Sequence, residues 1–401
     1  MLQHWKSFLG LAAIAALLCL IPLPAFAQDA LTLEQAIEIA LQNNPRLRMA
    51  QTDLKRIEAT RGEVVELAPM EFSYSWGQLN GVERKDREYA VTQPVGSLLT
   101  PFYKNALVDK QVRTGTYYRQ MVEKEVKAEV KRAWAYYLYA WNMRDMYKEQ
   151  SSLADRLQKA GELRYKQGAI SLLEKSMTTT AASSMHNKLF QAEEELKIAA
   201  SRLQWVCYTD YPIVPDKTTV DIYPVDVRPH SLSEAHLNYF QSRAHEKKAL
   251  LKIEKSRFFP ELSFGYVQQV MLPERGLKSW MVGVSFPVWF VPQRSKVRQA
   301  RYDWDMARIE ADANVRELNN KVTELRANLL RYSESIRLYQ ERSLPEAESL
   351  IRAANAEFRE SETDLIDYVQ SLNAAREIKE GYIETVYQYN IAALEYELYH
   401  Q

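Results

Sequence analysis

Two segments of the chain share one pattern, and this pattern decides the fold. Residues 165–174 read YKQGAISLLE and residues 358–367 read FRESETDLID, so the two segments lie 193 positions apart. The same offset relates Pro94 to Pro287 and the Ala-Ala pair at 181–182 to that at 374–375. An ungapped offset that holds from about residue 94 to about residue 203 predicts two copies of one structural unit.

Long stretches without proline predict very long helices. No proline occurs from Phe102 to Tyr211, and only Pro345 occurs after Gln293. Apolar residues in these stretches alternate steps of three and four, which is a heptad seam and indicates helices packed as coiled coils. A helix over residues 101–163 would be roughly 95 Å long at 1.5 Å per residue, a length that suits a tube or a spacer. One such seam consists of Val315, Leu318, Val322, Leu325, Leu329, Tyr332, Ile336 and Tyr339.

Short stretches with period two lie between the helices and predict two β-hairpins, at about residues 71–95 and 261–289. Alternation of this kind usually marks strands of a soluble sheet. Here one face is unusually aromatic, as expected of a lipid-facing wall, and about ten residues suffice for a tilted strand to cross a bilayer. The predicted lipid-facing residues are Phe72, Tyr74, Trp76, Phe264, Tyr266 and Trp280.

The N-terminus has the features of a targeting segment. Lys6 supplies positive charge, residues 8–21 are largely apolar, and residues 25–27 (Ala-Phe-Ala) form a small-x-small cleavage pattern. We therefore expect residues 1–27 to be a signal peptide. Cleavage would leave Cys207 as the mature chain's one cysteine, which excludes an internal disulfide.

The remaining boundaries follow from the offset. Repeat 1 is predicted over residues 28–207, with helices from about 101 to 207 after its hairpin. A proline-containing linker is predicted over residues 208–231. Repeat 2 is predicted over residues 232–401, with helices from about 293 to 400.

Composition argues against several classes of function. The chain has 52 basic and 52 acidic residues, whereas nucleic-acid-binding proteins are usually basic. None of the six histidines has the helical spacing of a metal site, and no phosphate-binding loop or nucleophile elbow is present. We predict a protein that is not an enzyme and that holds no cofactor or metal.

The chain resembles the TolC-type outer-membrane factor family, and its short length is closest to the family's compact metal-efflux branch. The resemblance rests on the opening LTLEQA at residues 31–36, followed by Asn43-Asn44-Pro45, on the paired hairpins, on the internal repeat and on the paired tip motifs.

The resemblance implies a mainly α-helical chain with membrane β-strands. Three chains would share a 12-stranded β-barrel, continuous with a trimeric α-helical barrel. Such a homotrimer would lie in the outer membrane of a Gram-negative bacterium, in contact with its lipid and with a large periplasmic portion. It would be the exit channel of a tripartite efflux or type I secretion system. Its partners would be a periplasmic adaptor and an inner-membrane pump of RND or ABC type.

The resemblance also places a gate at the periplasmic tips. Asp367 falls at a family constriction position, and Gln370 stands where a second acid is common. Asp364 and Glu174 are nearby candidates, although acids in the first turn of a helix are also favoured by the helix dipole alone. Residues expected at the tips or in contact with the adaptor are Tyr165, Gly168, Phe358 and Ser361, and for the two aromatic residues core packing is the stronger interpretation.

Two other classes remain as alternatives. A periplasmic coiled-coil adaptor of the membrane-fusion type would have one helical hairpin, β-rich lipoyl-like halves and an inner-membrane anchor. A soluble coiled coil or enzyme would leave the aromatic strands and the duplicated hairpins unexplained.

Overall fold

The structure is a computed structural model that describes residues 30–79, 85–226, 232–271, 274–286, 289–360 and 363–400. The predicted signal peptide and Ser361 lie outside the described residues.

Two short helices open the described chain. Helix α1 spans Leu33–Asn43 and helix α2 spans Pro45–Ala59. Thr32 and Gln35 form a reciprocal capping box at the start of α1. Asn44 ends α1 and caps α2, because its side chain accepts hydrogen bonds from the Arg46 and Leu47 amides at 2.9 and 3.4 Å.

The long helices are confirmed. Helix α3 spans Thr100–Lys166 and α4 spans Leu172–Cys207. In the second half, α5 spans Glu234–Ser256, α6 Val291–Leu338, α7 Leu344–Glu360 and α8 Leu365–Tyr399. The 67 residues of α3 correspond to about 100 Å at 1.5 Å per residue.

The predicted seams form the cores. In the first half, Val126, Val130, Ala133 and Tyr137 of α3 are buried against α1 and α4. In the second half, buried residues of α6 and α8 pack together, and those of α6 belong to the predicted seam. They are Leu325, Leu329, Ile336, Val386, Tyr389, Ala392, Ala393 and Tyr396.

Four antiparallel strands form one sheet in the order β1 (Glu71–Gly77), β2 (Asp86–Gly96), β3 (Glu261–Met271) and β4 (Glu274–Ser285). Each strand adjoins a different helix in sequence: β1 follows α2, β2 precedes α3, β3 follows α5 and β4 precedes α6. Those helices also pack in the order α2, α3, α5, α6. The sheet therefore continues into a helical wall with the same neighbour order.

Farther from the sheet the helices pack in the order α4, α3, α8, with α6 and then α7 beside α8. One edge of the chain consists of β1, α2 and α4, and the other of β4, α6 and α7. Within the described residues, β1 pairs only with β2 and β4 only with β3. Both edges of the sheet are thus unpaired.

The connection after α4 ties the two halves together. The Leu31 amide donates to the Val214 carbonyl at 2.9 Å, and the Asp216 amide donates to the Leu31 carbonyl at 2.9 Å. Asn390 of α8 accepts from the Tyr223 amide at 2.8 Å and donates to the Asp221 carbonyl at 2.9 Å.

Candidate functional site

The first helical tip is a tight, capped turn between α3 and α4. Gly168 has φ +71°, a left-handed conformation that glycine adopts without strain. Ser171 and Glu174 then form a capping box: the Glu174 carboxylate accepts from the Ser171 amide at 2.6 Å, and the Glu174 amide donates to Ser171 Oγ at 3.2 Å. This backbone hydrogen bond lowers the pKa of Glu174. The Glu174 carboxylate is therefore engaged in the helix cap.

The first tip also presents apolar side chains to solvent. Leu172 and Leu173 are 60% and 66% exposed, whereas Leu365, the counterpart of Leu172 at offset 193, is only 4% exposed. Tyr165 is 38% exposed and has Lys175 Nζ 5.0 Å from its ring centroid.

The second tip begins α8 with an acidic cap. Asp364 Oδ1 accepts from the Asp367 amide at 2.8 Å, so Asp364 is the N-cap and its carboxylate is used locally. The negative charge of Asp364 also opposes the lowering of the Glu174 pKa, because the two tips lie side by side.

An exposed stripe leads away from the second tip along α8. Asp367 and Gln370 are exposed, and Ala374 and Glu377 continue the stripe in steps of four and three. Buried Leu365, Tyr368 and Leu372 occupy the opposite side of the helix. Glu377 was not among the predicted site residues, although its heptad relation to Gln370 was visible in the sequence.

Phe358 belongs to the packing of the tip. Its ring stacks on Tyr368 with centroids 4.3 Å apart and an interplanar angle of 11°. Arg164 Cζ of α3 lies 4.6 Å from the Phe358 ring centroid. Core packing, the stronger interpretation from the sequence, is thus observed for this residue.

The strand register gathers the bulky side chains on one face. Phe72 pairs with Val91, Tyr74 with Tyr89, Phe264 with Val282, and Tyr266 with Trp280. Side chains of directly paired residues lie on the same face. All six predicted aromatic residues therefore share one face, and five of them are 40–84% exposed: Phe72, Tyr74, Trp76, Phe264 and Trp280.

The other face is mostly small and polar, although Val267, Leu277 and Met281 also lie on it. Its small and polar residues include Ser73, Ser75, Ser263 and Ser279. This face is closely packed around glycines, since a Cβ at Gly283 would collide with Ser263 Oγ and one at Gly265 would lie 2.9 Å from Met281 Cε.

Exposed apolar side chains run along both edges of the helical wall. On α4 they are Phe190, Ile198 and Trp205, which are 56–66% exposed. On α6 they are Tyr302, Met306, Ile309, Leu330 and Leu338, which are 45–64% exposed. Isolated exposed apolar residues are ordinary, but rows along both free edges indicate surfaces that become covered.

Two polar clusters join the halves of the chain. Glu380 of α8 pairs with Arg376 at 2.9 Å and with Lys188 of α4 at 3.3 Å. Burial raises the pKa of the Tyr147 hydroxyl of α3 to about 12, and the negative charge of Glu380 is the next largest cause.

The second cluster surrounds His236. Ser233 Oγ accepts from Lys124 Nζ at 3.3 Å and lies 3.2 Å from His236 Nδ1. The rings of Tyr399 and His236 pack in a T-shaped arrangement, with centroids 5.4 Å apart. Burial, and then the charge of Lys124, lower the pKa of His236.

Within the described ranges, no group of three or more His, Cys, Asp or Glu side chains is placed to hold a metal ion. None of the described helices combines the length and apolarity needed to span a membrane.

No family model and no curated protein matches the chain. Solved structures do match over nearly its whole length. CusC aligns with a TM-score of 0.77 at 16% identity and covers 92% of each chain. The CmeC outer-membrane channel of Campylobacter jejuni aligns with a TM-score of 0.76 at 14% identity, covering 91% of this chain and 84% of its own. The open-state MtrE outer-membrane channel of Neisseria gonorrhoeae aligns with a TM-score of 0.71 at 15% identity, covering 91% of this chain and 88% of its own. The chain has the same fold as these proteins.

Proposed function

We propose that this chain is an outer-membrane exit channel: a passive conduit from periplasm to exterior that serves an efflux or type I secretion system. The observation that carries the proposal is the division of the sheet into an exposed apolar face and a small, polar face. A wall between lipid and an aqueous lumen needs this division in every strand. The sheet of paired hairpins is a feature that the alternative, a periplasmic adaptor, does not predict.

The apolar face has the layout of a membrane band. Trp76 lies toward the hairpin loop between β1 and β2, Phe286 and Trp289 lie toward the helices, and Trp280 and Val282 lie between them. Aromatic girdles flanking an apolar band are typical of outer-membrane barrels. The aromatic strand residues would then face lipid, and the close-packed glycine face would line the pore.

The two free edges support assembly from identical copies. Edge β1 of one chain can pair with edge β4 of the next, and a head-to-tail interface of this kind closes into a ring. Three chains of four strands would give a 12-stranded barrel, with tilted strands and no unpaired edge. We infer a homotrimer on this basis.

The apolar rows of the helical wall fit the same assembly. At 1.5 Å per residue, Phe190, Ile198 and Trp205 lie about 28, 40 and 51 Å from the first tip. Leu338 and Leu330 lie about 34 and 46 Å from the second tip. Because the tips lie side by side, the rows of adjacent chains would interlock at alternating heights.

The stripe on α8 supports a gate at the periplasmic end. Around a three-fold axis, three Asp367 carboxylates would repel one another and attract cations. Gln370 would add a neutral ring, and Glu377 would add a second acidic ring about 15 Å farther from the tip along α8. Asp364 and Glu174 would contribute charge near the gate while their side chains serve as helix caps.

The exposed leucines of the first tip support a periplasmic partner there. Leu172 and Leu173 extend the predicted contact region of Tyr165 and Gly168 and would dock on the adaptor of an inner-membrane pump. The outer membrane of a Gram-negative bacterium is the corresponding location, with α3, α4 and α6–α8 extending into the periplasm.

Purification and bilayer recording test the channel. We expect the protein to require detergent, to have the mass of a trimer by light scattering with detergent correction, and to conduct ions in planar bilayers. A monomer that stays soluble without detergent and carries no current would rule out the channel and leave the adaptor as the better reading.

A further inference from the structure

The long helical segment formed by α6 and α7 is interrupted at a level where the corresponding helix of the first half, α3, is continuous. Residues Tyr339–Ser343 form one π-helical turn, in which the Leu344 amide donates to the Tyr339 carbonyl five residues earlier. At offset 193 the corresponding residues are 146–150, which lie inside the unbroken helix α3. The two halves therefore differ in the middle of their long helices.

Pro345 explains the wide turn. Proline has no amide hydrogen, and in an α-helix its ring would clash with the carbonyl four residues earlier, here that of Glu341. A π turn is one of the few ways to continue the helix past such a residue. Ser152 occupies the corresponding position of the first half and allows α3 to stay regular.

The partner helix α8 has a weak point at the same level. Gly381 lies inside α8, and a Cβ there would collide with the hydroxyl of Tyr339, the first residue of the π turn. Tyr382 packs edge-on to Tyr339, with centroids 6.1 Å apart, and its hydroxyl accepts from Gln340 at 3.0 Å. Thr385 Oγ1 donates to the Gly381 carbonyl at 2.6 Å, a contact that favours helix bending.

The apolar core of this helical pair is divided at that level. Above it, on the side of the sheet, α6 and α8 share a cluster that ends at Ile336 and Val386. Below it, toward the tip, α7 and α8 share a separate cluster formed by Ala354, Tyr368 and Leu372, on which Leu153 and Leu157 of α3 also pack. Interior glycine and π turns cost helix stability, so their coincidence between two separate cores needs an explanation.

We propose that Tyr339–Ser343 and Gly381 form a hinge at which the tip half of the α7–α8 pair swings relative to the upper half. The ion pairs of Glu380 with Arg376 and with Lys188 of α4 lie beside Gly381 and anchor α8 at the pivot. The swinging half carries Asp367, so the hinge supplies the gate motion and rests on the proposed channel.

Spin-label distances test the hinge in detergent-purified protein, with labelled chains diluted into unlabelled ones. One pair, at exposed Ser183 of α4 and Ser349 of α7, lies below the hinge, and another, at exposed Ser201 and Ser333, lies above it. We expect a broad or two-peaked distribution for the lower pair and a single narrow one for the upper pair. A single narrow distribution for both pairs would overturn the hinge.

A straightened helix provides the matched comparison. Deletion of Arg342 together with Pro345→Ala removes the residue that widens the turn and the proline. This double change should reduce the width of the distance distribution of the lower pair at least twofold. Pro345→Ala alone, which keeps the chain length and favours helix, should narrow it partly if the deletion fails to fold. Pro292→Ala, at the first turn of α6 where proline is tolerated, should change neither pair.

The outcomes separate the two proposals. If both hinge variants leave the lower distribution unchanged while the wild-type protein conducts, the channel stands and the hinge is wrong. If the distance distribution of the lower pair narrows as expected but neither the wild-type protein nor any variant conducts, the hinge motion stands, and the channel and the gating role of the hinge are wrong.

Discussion

Replacement of Val282 by arginine is the sharpest test of the lipid-facing surface. Val282 lies in β4, three residues before the end of the strand, is 66% exposed, and pairs with Phe264 on the apolar face. If that face meets water, the change should alter the unfolding free energy by no more than about 0.5 kcal/mol, as for ordinary surface substitutions. If it meets lipid near the bilayer midplane, the cost should be about 2–4 kcal/mol per chain.

The structure supplies the matched controls. Ser279→Arg places the same side chain on the opposite face of the same strand, where we expect little cost because an aqueous lumen would solvate it. Val282→Gln keeps the position but adds no charge, so the difference between the two Val282 variants isolates the cost of the ion. At about 1.4 kcal/mol per factor of ten, the arginine should reduce the folding equilibrium constant roughly 30- to 700-fold per chain.

The assay is folding into phospholipid vesicles, followed by heat-dependent gel mobility and by the urea midpoint. Val282→Arg should lower the midpoint or abolish the folded band, whereas Ser279→Arg should resemble wild type. Equal costs for the two arginine variants, within about 0.5 kcal/mol, would refute the assignment of separate lipid and lumen faces.

Three further outcomes are expected. Asp367→Ala combined with Gln370→Ala should increase single-channel conductance in planar bilayers, and unchanged conductance would remove the α8 stripe from the gate. Ile198→Cys with Leu338→Cys should form an intermolecular disulfide ladder ending at three chains, and the single variants, which cannot form the ladder, serve as controls. The lowered pKa of His236 means that the unfolded state binds the extra proton, so stability should fall as pH drops below about 6.5 and level off below the folded-state pKa. His236→Asn should make the thermal unfolding midpoint less dependent on pH between pH 7 and pH 5. An unchanged dependence would assign that acid sensitivity to other groups.

Local rules explain why the helices and strands were predictable. The part of the heptad seam from Val322 to Ile336 became the α6 face of the second core because periodic burial is set within each helix. The aromatic alternation of residues 72–76 and 262–266 became strands because period two fixes a pleated strand in the same way. The capping box at the start of α1 likewise depends only on Thr32 and Gln35, three positions apart.

The candidate gate was only partly predictable. The position of Asp367 came from the family resemblance, but its exposure beside buried Tyr368 required the packing of α7 against α8. The competing interpretation of Glu174 was a surface acid favoured by the helix dipole, and its capping role was not predicted, because a carboxylate in a first turn has the same sequence signature whether it is free or bonded to the helix cap. The π turn was not predicted, although Pro345 was visible, since proline in a helix can also end it or kink it.

The sequence by itself determined the elements: two sets of long helices, two hairpins, their capped ends and the face that each helix or strand buries. These features depend on residues a few positions apart. The tertiary structure decided the neighbour order of the helical wall, the collection of aromatic side chains from four strands on one face, and the division of the second core above and below Gly381. Those features depend on contacts between residues far apart in the chain, and no local periodicity specifies which elements meet.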